Sequence, residues 1–427
     1  MDHFRYRHGE LYCEEVPVER IAREVGTPAY VYSIHTVLEH YQKIAAAFES
    51  LHPLICFSIK ANSALGLLKR LREAGSGFDV VSGGELQRAL RVGADPKRLV
   101  FAGVGKSDAE IRFGIETGIL MFNAESWEEL ANIDRIAASE GKRADVALRV
   151  NPDVDPETHT YIATGKKESK FGVDFVHARG ILGEIKKLAH VRLIGIHVHI
   201  GSQILKVDPY VEALTKVAAF IEEVRQAGHQ VEWLDMGGGF GIYYKEKAAR
   251  SAAEIAEALV PVIQTTGCKL ALEPGRFIVG NAGILVTRVV YRKTSGEKVF
   301  AICDTGMNSL IRPTLYGAYH GIWPVKTDKI VEGERPDEER WTGQTLVTDV
   351  VGPICESGDF LAQDRKLPPL NPGDHLAVFS AGAYGYVMAS NYNSQPRPAE
   401  VLVDGDRYRV ITRRETSEEL MRLESAD

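Results

Sequence analysis

An eight-stranded α/β barrel of the TIM type followed by an all-β domain is the architecture this chain points to. Three features say so: its length, a repeated strand–helix rhythm, and a change of texture after Gly283. The 427 residues are too many for one small core, so two domains are expected. Between residues 54 and 276 a short run rich in Val, Ile, Leu and Phe is followed repeatedly by about ten to fifteen residues with helical spacing, the pattern of βα units. The candidate strands are Leu54–Ile59, Phe78–Val81, Leu99–Ala102, Leu120–Asn123, Asp145–Val150, Leu193–His199, Val231–Met236 and Lys269–Glu273. Eight strands alternating with helices over about 220 residues match a (β/α)₈ barrel. Periodicity does not report closure, so an open doubly wound sheet fits the same rhythm.

The helices between these strands have recognisable starts. Ser126-Trp127-Glu128-Glu129 and Ser107-Asp108-Ala109-Glu110 both read as capping boxes, and His35–Ser50 reads as the first barrel helix. After Gly283, strand character dominates: Ile284–Arg292, Val299–Cys303, Thr345–Val351, His375–Phe379, and the pair Glu400–Val403 and Tyr408–Ile411. Asp404-Gly405-Asp406 between that pair predicts a hairpin. A short amphipathic helix is expected near Thr416–Leu423, and strand-like pieces in Leu11–Tyr32 are expected to join the β domain. The expected division is a barrel at 35–282 and a β domain made of 1–34 and 283–427.

Composition narrows the function. With 51 basic and 58 acidic side chains the formal charge is −7, so no positive field exists to hold nucleic acid or an anionic membrane non-specifically. Apolar stretches such as Leu193–Ile200 fall far short of the ~18 residues that cross a bilayer. MDHFRYRHGE lacks the apolar segment of a secretion signal, so the cytoplasm is the expected compartment. The five cysteines lie far apart with no CxxC pair, which suggests neither a disulfide framework nor a metal cluster. Cys13, Cys56, Cys268 and Cys303 are expected to be ordinary buried residues.

Barrel chemistry sits at the C-terminal ends of the strands, because the interior is filled with side chains. Those ends carry Lys60; Ser82-Gly83-Gly84-Glu85; Asn151; His197-Val198-His199-Ile200-Gly201-Ser202; Asp235-Met236-Gly237-Gly238-Gly239-Phe240-Gly241; and Glu273-Pro274-Gly275-Arg276. A lysine just past a strand is ordinarily a surface residue, but one partly desolvated in a barrel mouth can attack a carbonyl as a free amine. Of His197 and His199, one is expected to face the mouth, where a flat imidazole suits stacking on a planar ligand. The glycine run offers backbone N–H groups with no Cβ in the way, which suits a phosphate. Gly275 and Arg276 can complete an anion site and leave Glu273 facing inward. A lysine nucleophile, a phosphate cradle, a stacking ring and a buried carboxylate are together what pyridoxal 5′-phosphate needs.

FSIKAN, DVVSGGEL, HVHIGSQ, DMGGGFGI and EPGR, in this order and spacing, resemble the alanine-racemase-like (fold type III) pyridoxal-phosphate enzymes, in particular their decarboxylase branch. IRPTLYGAYH, GPICESGDFLA and GAYGYVMASNYNSQPRPAEVLV narrow the resemblance to the diaminopimelate-specific decarboxylases, over about residues 12–412. The resemblance implies that Lys60 holds the cofactor as a Schiff base, that His199 stacks on its ring and that Glu273 pairs with its ring nitrogen. It places Ser202, Gly238, Gly239, Gly275, Arg276 and Tyr384 around the phosphate. It assigns substrate binding to Arg276, Arg312, Tyr316, Glu356 and Tyr384, and proton donation to Cys355. It further implies a homodimer in which Cys355-Glu356 reaches the neighbouring site. From its surroundings in the sequence alone, Cys355 would be a buried thiol of the β domain. Phe57-Ser58 stands where the family often has Tyr-Ala, and Gln395 replaces a frequent Arg; neither removes a reactive group.

The implied reaction is decarboxylation of meso-2,6-diaminopimelate to L-lysine and carbon dioxide. Decarboxylation of another amino acid, such as carboxynorspermidine or a carrier-bound glutamate, shares the cofactor motifs and differs in the distal pocket. A racemase is disfavoured by Glu273, since that branch sets an arginine near the ring nitrogen. A non-catalytic cofactor carrier would need only the barrel, and a regulatory relative would be expected to lose Lys60 or Cys355; this sequence keeps the β domain and both residues. The loop His159–Gly172, rich in Gly, Lys and Thr, is a candidate lid.

Overall fold

Each of the eight apolar runs between residues 54 and 276 forms a parallel strand: Leu54–Ser58, Gly77–Val80, Leu99–Phe101, Met121–Ala124, Ala144–Asn151, Val191–Val198, Trp233–Asp235 and Lys269–Leu272. Each pairs with the next, and the eighth pairs back with the first through Ala271↔Leu54 and Leu272↔Ile55. That closure excludes the open sheet. The structure is a computed structural model that describes residues 3–155, 169–245, 249–327 and 343–425. The chain divides into two units, one comprising His40–Ile242 and Ala248–Phe277, the other Met1–Glu39, Tyr243–Lys247 and Ile278–Asp427.

The barrel core has a vertical gradient set by strand periodicity. Leu54, Cys56, Val100, Met121, Ala147 and Ile194 pack into an apolar layer. Residues two apart share a face, and two positions beyond Cys56, Met121 and Ala147 stand Ser58, Asn123 and Arg149, all buried. Buried polar groups are costly unless they are paired. A polar layer across the C-terminal half of a barrel therefore has to be a connected network or a ligand site.

The helix starts also follow local chemistry. Ser107 and Glu110 form the complete capping box at the head of Asp108–Thr117. At Ser126 only half of the box forms. Its hydroxyl accepts from Glu129 N–H at 3.1 Å, but the Glu129 carboxylate turns to Glu125 N–H (2.8 Å) and to the buried Lys106 ammonium (2.6 Å). The ion pair outcompetes the cap. The first barrel helix runs Ile34–Ala47, followed by a 3₁₀ turn at Glu49–Leu51.

The second unit is mostly strand. Its sheet runs in the order Phe360–Leu367, Leu346–Val351, Lys298–Cys303, Gly283–Ser295, Ala29–Ser33, Ala399–Asp404, Arg407–Thr412, with His375–Val378 pairing both Gly283–Ser295 and Ile322–Pro324. Ala29–Ser33 lies in the middle, antiparallel to Gly283–Ser295 and parallel to Ala399–Asp404. The hairpin closes through Asp404↔Arg407, with Gly405 at a φ of +65°. The final helix is Ser417–Met421. Phe360–Leu367 has no counterpart among the sequence-based strands: Gln363-Asp364-Arg365 breaks its alternation, Asp364 takes a φ of +52°, and the register to Leu346–Val351 slips there.

Candidate active site

Lys60 sits on a 3₁₀ turn, Ile59–Ala61, immediately past the first strand. Its Nζ donates to Asp79 Oδ2 at 2.7 Å, and Ser58 Oγ donates to the same oxygen. The Lys60 side chain is 36% exposed while Asp79 is sealed off, so the acid fixes the amine from below and leaves it open to the mouth. Asp79, in the second strand, was not among the residues singled out from sequence. Its signal was an acid inside the fully buried run Gly77–Val80.

Glu273 follows the eighth strand and is buried. Asn123 donates from Nδ2 to Glu273 Oε1 at 3.0 Å and to Asp235 Oδ2 at 3.1 Å. His197 Nε2 lies 3.4 Å from Glu273 Oε2, and neither ring nitrogen has a hydrogen-bond partner among the described residues. Burial lowers the His197 pKa to about 4, so the ring is neutral near pH 7. Burial, reinforced by the Asp79 charge, holds Glu273 above the ordinary carboxyl range, with the Lys60 cation pulling the other way. Asp235 is raised by burial and then by Glu273. Lys60 and Glu273 thus belong to one electrostatic cluster.

His197 and His199 do not divide between two faces as expected. Positions two apart in a strand point the same way; His197 sinks beside Glu273, and His199, just past the strand end at Val198, lies higher and half-buried. His199 Nδ1 accepts from Gly238 N–H at 3.2 Å, so that nitrogen carries no proton, and removal from water lowers the ring's pKa. The glycine loop fits around this ring. A Cβ at Gly237 would stand 2.5 Å from His199 Nδ1, one at Gly238 would stand 2.3 Å from the Glu273 carbonyl oxygen, and one at Gly239 2.3 Å from that of Gly201.

Arg276 donates from Nη2 to Ser202 Oγ at 3.1 Å, which joins the sixth and eighth strand ends. Gly275 lets that turn lie against the first strand, since a Cβ there would meet those of Ala61 and Ser58 at 3.0 Å. Backbone N–H groups, a hydroxyl and a guanidinium make an anion-binding donor set. Arg149 pairs with Glu125 at 2.9 Å, both buried, and Glu125 also accepts from Gly172 N–H at 2.9 Å. Of the candidate lid His159–Gly172, residues 159–168 lie outside the described residues.

The remaining candidates lie in the second unit. Arg312 opens a short helix, Arg312–Tyr316, and is buried. It donates to His320 Nε2 at 3.3 Å and to the Tyr244 hydroxyl at 3.2 Å, and its guanidinium lies 5.7 Å from the Tyr316 ring centroid. Tyr384 takes a φ of +54°. Glu356 is hydrogen-bonded by the Tyr392 hydroxyl. Asp359 holds this loop, accepting Met307 N–H at 2.6 Å and Ile354 N–H at 2.7 Å. Cys355 is exposed in the single chain, and its N–H donates to Asn393 Oδ1 at 2.8 Å. Among the other cysteines Cys13, Cys56 and Cys303 are buried as expected, while Cys268 is only half-buried, its Sγ beside the Arg225 guanidinium at the foot of the barrel.

Comparison with known proteins agrees with this geometry. The family described as pyridoxal-dependent decarboxylase, pyridoxal binding domain, matches residues 34–280. The chain is 47% identical over 414 residues to the diaminopimelate decarboxylase of Aquifex aeolicus, covering 97% of this chain and 95% of that one. It is 46% identical over 416 residues to that of Neisseria meningitidis serogroup B, covering 97% of each. The crystal structure of diaminopimelate decarboxylase from Helicobacter pylori complexed with L-lysine superposes with a TM-score of 0.89 at 40% identity, covering 95% of this chain and 99% of that one. Closed barrel, buried acid, anchored lysine and full-length similarity lead to one conclusion: the chain belongs to the pyridoxal-dependent decarboxylases, in the diaminopimelate decarboxylase branch.

Proposed function

We propose that this chain converts meso-2,6-diaminopimelate to L-lysine and carbon dioxide with pyridoxal 5′-phosphate at the C-terminal mouth of its barrel. What carries this is the grouping of an Asp79-anchored Lys60 amine with a buried Glu273. A carboxyl held above its ordinary range is one short of cationic company, which a protonated ring nitrogen supplies. The donor set at Ser202, Gly238, Gly239, Gly275 and Arg276 suits a phosphate, with the Tyr384 hydroxyl as a further contributor, and the neutral His199 ring suits a flat heterocycle.

Bound pyridoxal phosphate contributes an aldehyde for amines and a ring that accepts the electrons left by departing carbon dioxide. The Lys60 amine, aimed by Asp79, would hold the aldehyde end of the cofactor. Glu273 keeps a positive charge at the ring nitrogen, and the closed, apolar lower core excludes water beneath it. The substrate's ends carry the same groups, so the non-reacting end has to be held by charge. Arg276 and Arg312 are assigned to its carboxylate and Glu356 to its ammonium, with Tyr316 and Tyr384 as further substrate contacts. An analogue without the distal carboxylate forfeits the charge-assisted hydrogen bonds to these arginines, a penalty reaching ~10⁴-fold. Cys355 delivers the proton that completes L-lysine. Its exposure in the single chain suits a thiol, with Glu356 beside it, that serves the site of a second subunit in a homodimer. The workplace is the cytoplasm, and among the described residues no helix is long and apolar enough to cross a membrane.

Incubation of the cofactor-loaded protein with meso-diaminopimelate, following carbon dioxide and lysine together, is expected to give one of each per substrate consumed. Release of carbon dioxide only from a different amino acid, or from none, would sink the assignment.

A further inference from the structure

Beneath Glu273 lies a second acid that the scheme above leaves without a task. Asp235 ends the seventh strand and is wholly buried. Its two oxygens do different work. Oδ1 accepts Gly237 N–H at 2.9 Å, the first peptide of the glycine loop, and Oδ2 accepts from the same Asn123 Nδ2 that also donates to Glu273 Oε1. An amide nitrogen carries two protons, so both N–H groups of Asn123 Nδ2 are committed to the two carboxyls. The nearest polar atoms of His197, Asp235 and Glu273 all lie within 4.8 Å of one another.

The charged and titratable groups facing this pair come from five strands or the turns after them. They are Cys56 and Lys60 from the first, Asp79 from the second, Glu125 after the fourth, Arg149 from the fifth, and His197 from the sixth. Arg149 is engaged with Glu125 and Lys60 with Asp79. Among the described residues, neither Asp235 nor Glu273 makes an ion pair with a lysine or arginine. Two carboxyls this close in a dry site do not both ionise, so one proton stays with the pair.

We propose that Asp235 is the positioning residue of this site: it keeps that proton, leaves Glu273 as the ionised member facing the cofactor's ring nitrogen, and through Gly237 ties Glu273 to the phosphate cradle. The proposal rests on the assignment of Glu273 to the ring nitrogen. The location of the proton follows from depth and from the contact between the two acids: burial penalises a charge on Asp235 despite its N–H donors, and the side-chain hydrogen bond between the pair raises Asp235 and lowers Glu273. Asp235 is surrounded by protein on both oxygens and has no route to a ligand, whereas Glu273 stands one layer nearer the mouth and gains most from being the anion. One residue then couples the two ends of the ring site, the acid under the nitrogen and the peptides around the phosphate.

The test reads the proton directly. The infrared spectrum of the cofactor-free protein at pH 7 should contain, beside the contribution of Glu85, a protonated-carboxyl C=O component that is lost in D235N and persists in E273Q. Loss of that component in E273Q and not in D235N would place the proton on Glu273 and overturn the proposal. In cofactor titrations followed by visible absorbance, D235A should weaken binding by roughly ten- to a hundredfold, the size seen when a group that orients a ligand-holding side chain is removed. D235N, which keeps a neutral hydrogen-bonding group in place, should recover most of that loss. D235N as damaging as D235A would mean that Asp235 acts as an anion, and the proposal fails. If E273Q leaves cofactor affinity, visible spectrum and kcat unchanged, the parent assignment of Glu273 fails instead, whatever the Asp235 variants do.

Discussion

Lys60 shows how much of a reactive side chain's behaviour comes from its neighbours. The sequence places it at a strand end with apolar residues before it; Asp79, nineteen residues later, fixes where its amine points. Lys60→Ala is expected to abolish the visible absorbance of bound cofactor, and an unchanged spectrum would remove the lysine from the scheme. Cys355→Ala is expected to leave that absorbance intact while slowing lysine formation by roughly 10²–10⁴-fold, the usual worth of a positioned proton donor; stopped assays of product against time check it. Residues at strand ends were legible because barrel chemistry collects there: Lys60, His199, Ser202, Glu273 and Arg276 all fall into one unit's polar layer or its rim. Asp79, Asn123 and Arg149 were not legible as site residues, and Asp235, though read at a strand end, was given no role. Each sits inside or at the end of a strand, where sequence alone cannot distinguish a functional acid or amide from a structural one.

Among the elements, the loop after the seventh strand is the most tightly constrained. A Cβ at Gly238 would meet backbone, not a movable side chain, at 2.3 Å. Gly238→Ala is therefore expected to cost about 1–3 kcal/mol, as overpacking does, and to weaken cofactor binding, read as a lower thermal midpoint and a higher cofactor concentration at half-saturation. Gly180, within the helix Phe175–Glu184, has open space where its Cβ would go. Gly180→Ala should stabilise by about 0.5–1 kcal/mol through the entropy of the helix interior and leave cofactor binding alone. A shared response of both variants would refute the steric account. Continuous apolar runs made all eight barrel strands readable, because strands buried on both faces need no alternation. Phe360–Leu367 escaped notice because its polar centre and register slip erase the period on which strand reading depends.

At the scale of the molecule, the buried acids make stability depend on pH in a definite direction. Asp235 is pushed up to about 8 from 3.8 and Glu85 to about 7 from 4.5, each chiefly by burial, and Glu273 is raised as well. Carboxyls that bind protons more tightly when folded favour the native state at low pH and withdraw that support as pH rises through their folded values. His197, lowered to about 4 from 6.5, acts oppositely but only below its unfolded value. Between pH 6.5 and 8 the acids act alone, so the thermal midpoint of the cofactor-free protein is expected to fall across that interval; a midpoint that rises there contradicts the buried-acid picture. The two-part architecture was visible in the change of texture after Gly283. The place of Ala29–Ser33 between Gly283–Ser295 and Ala399–Asp404 depends on pairing across most of the chain, which local pattern does not encode. That arrangement sets a timetable for biosynthesis. The barrel can close on the ribosome once Lys269–Leu272 has emerged, whereas Ala29–Ser33, translated ahead of the barrel, finds its first partner in this sheet only in Gly283–Ser295 and its second only in Ala399–Asp404. The nascent chain therefore carries an apolar strand without its sheet partners while the whole barrel is made, and the second unit's assembly trails the barrel's, a delay that shielding by chaperones would cover.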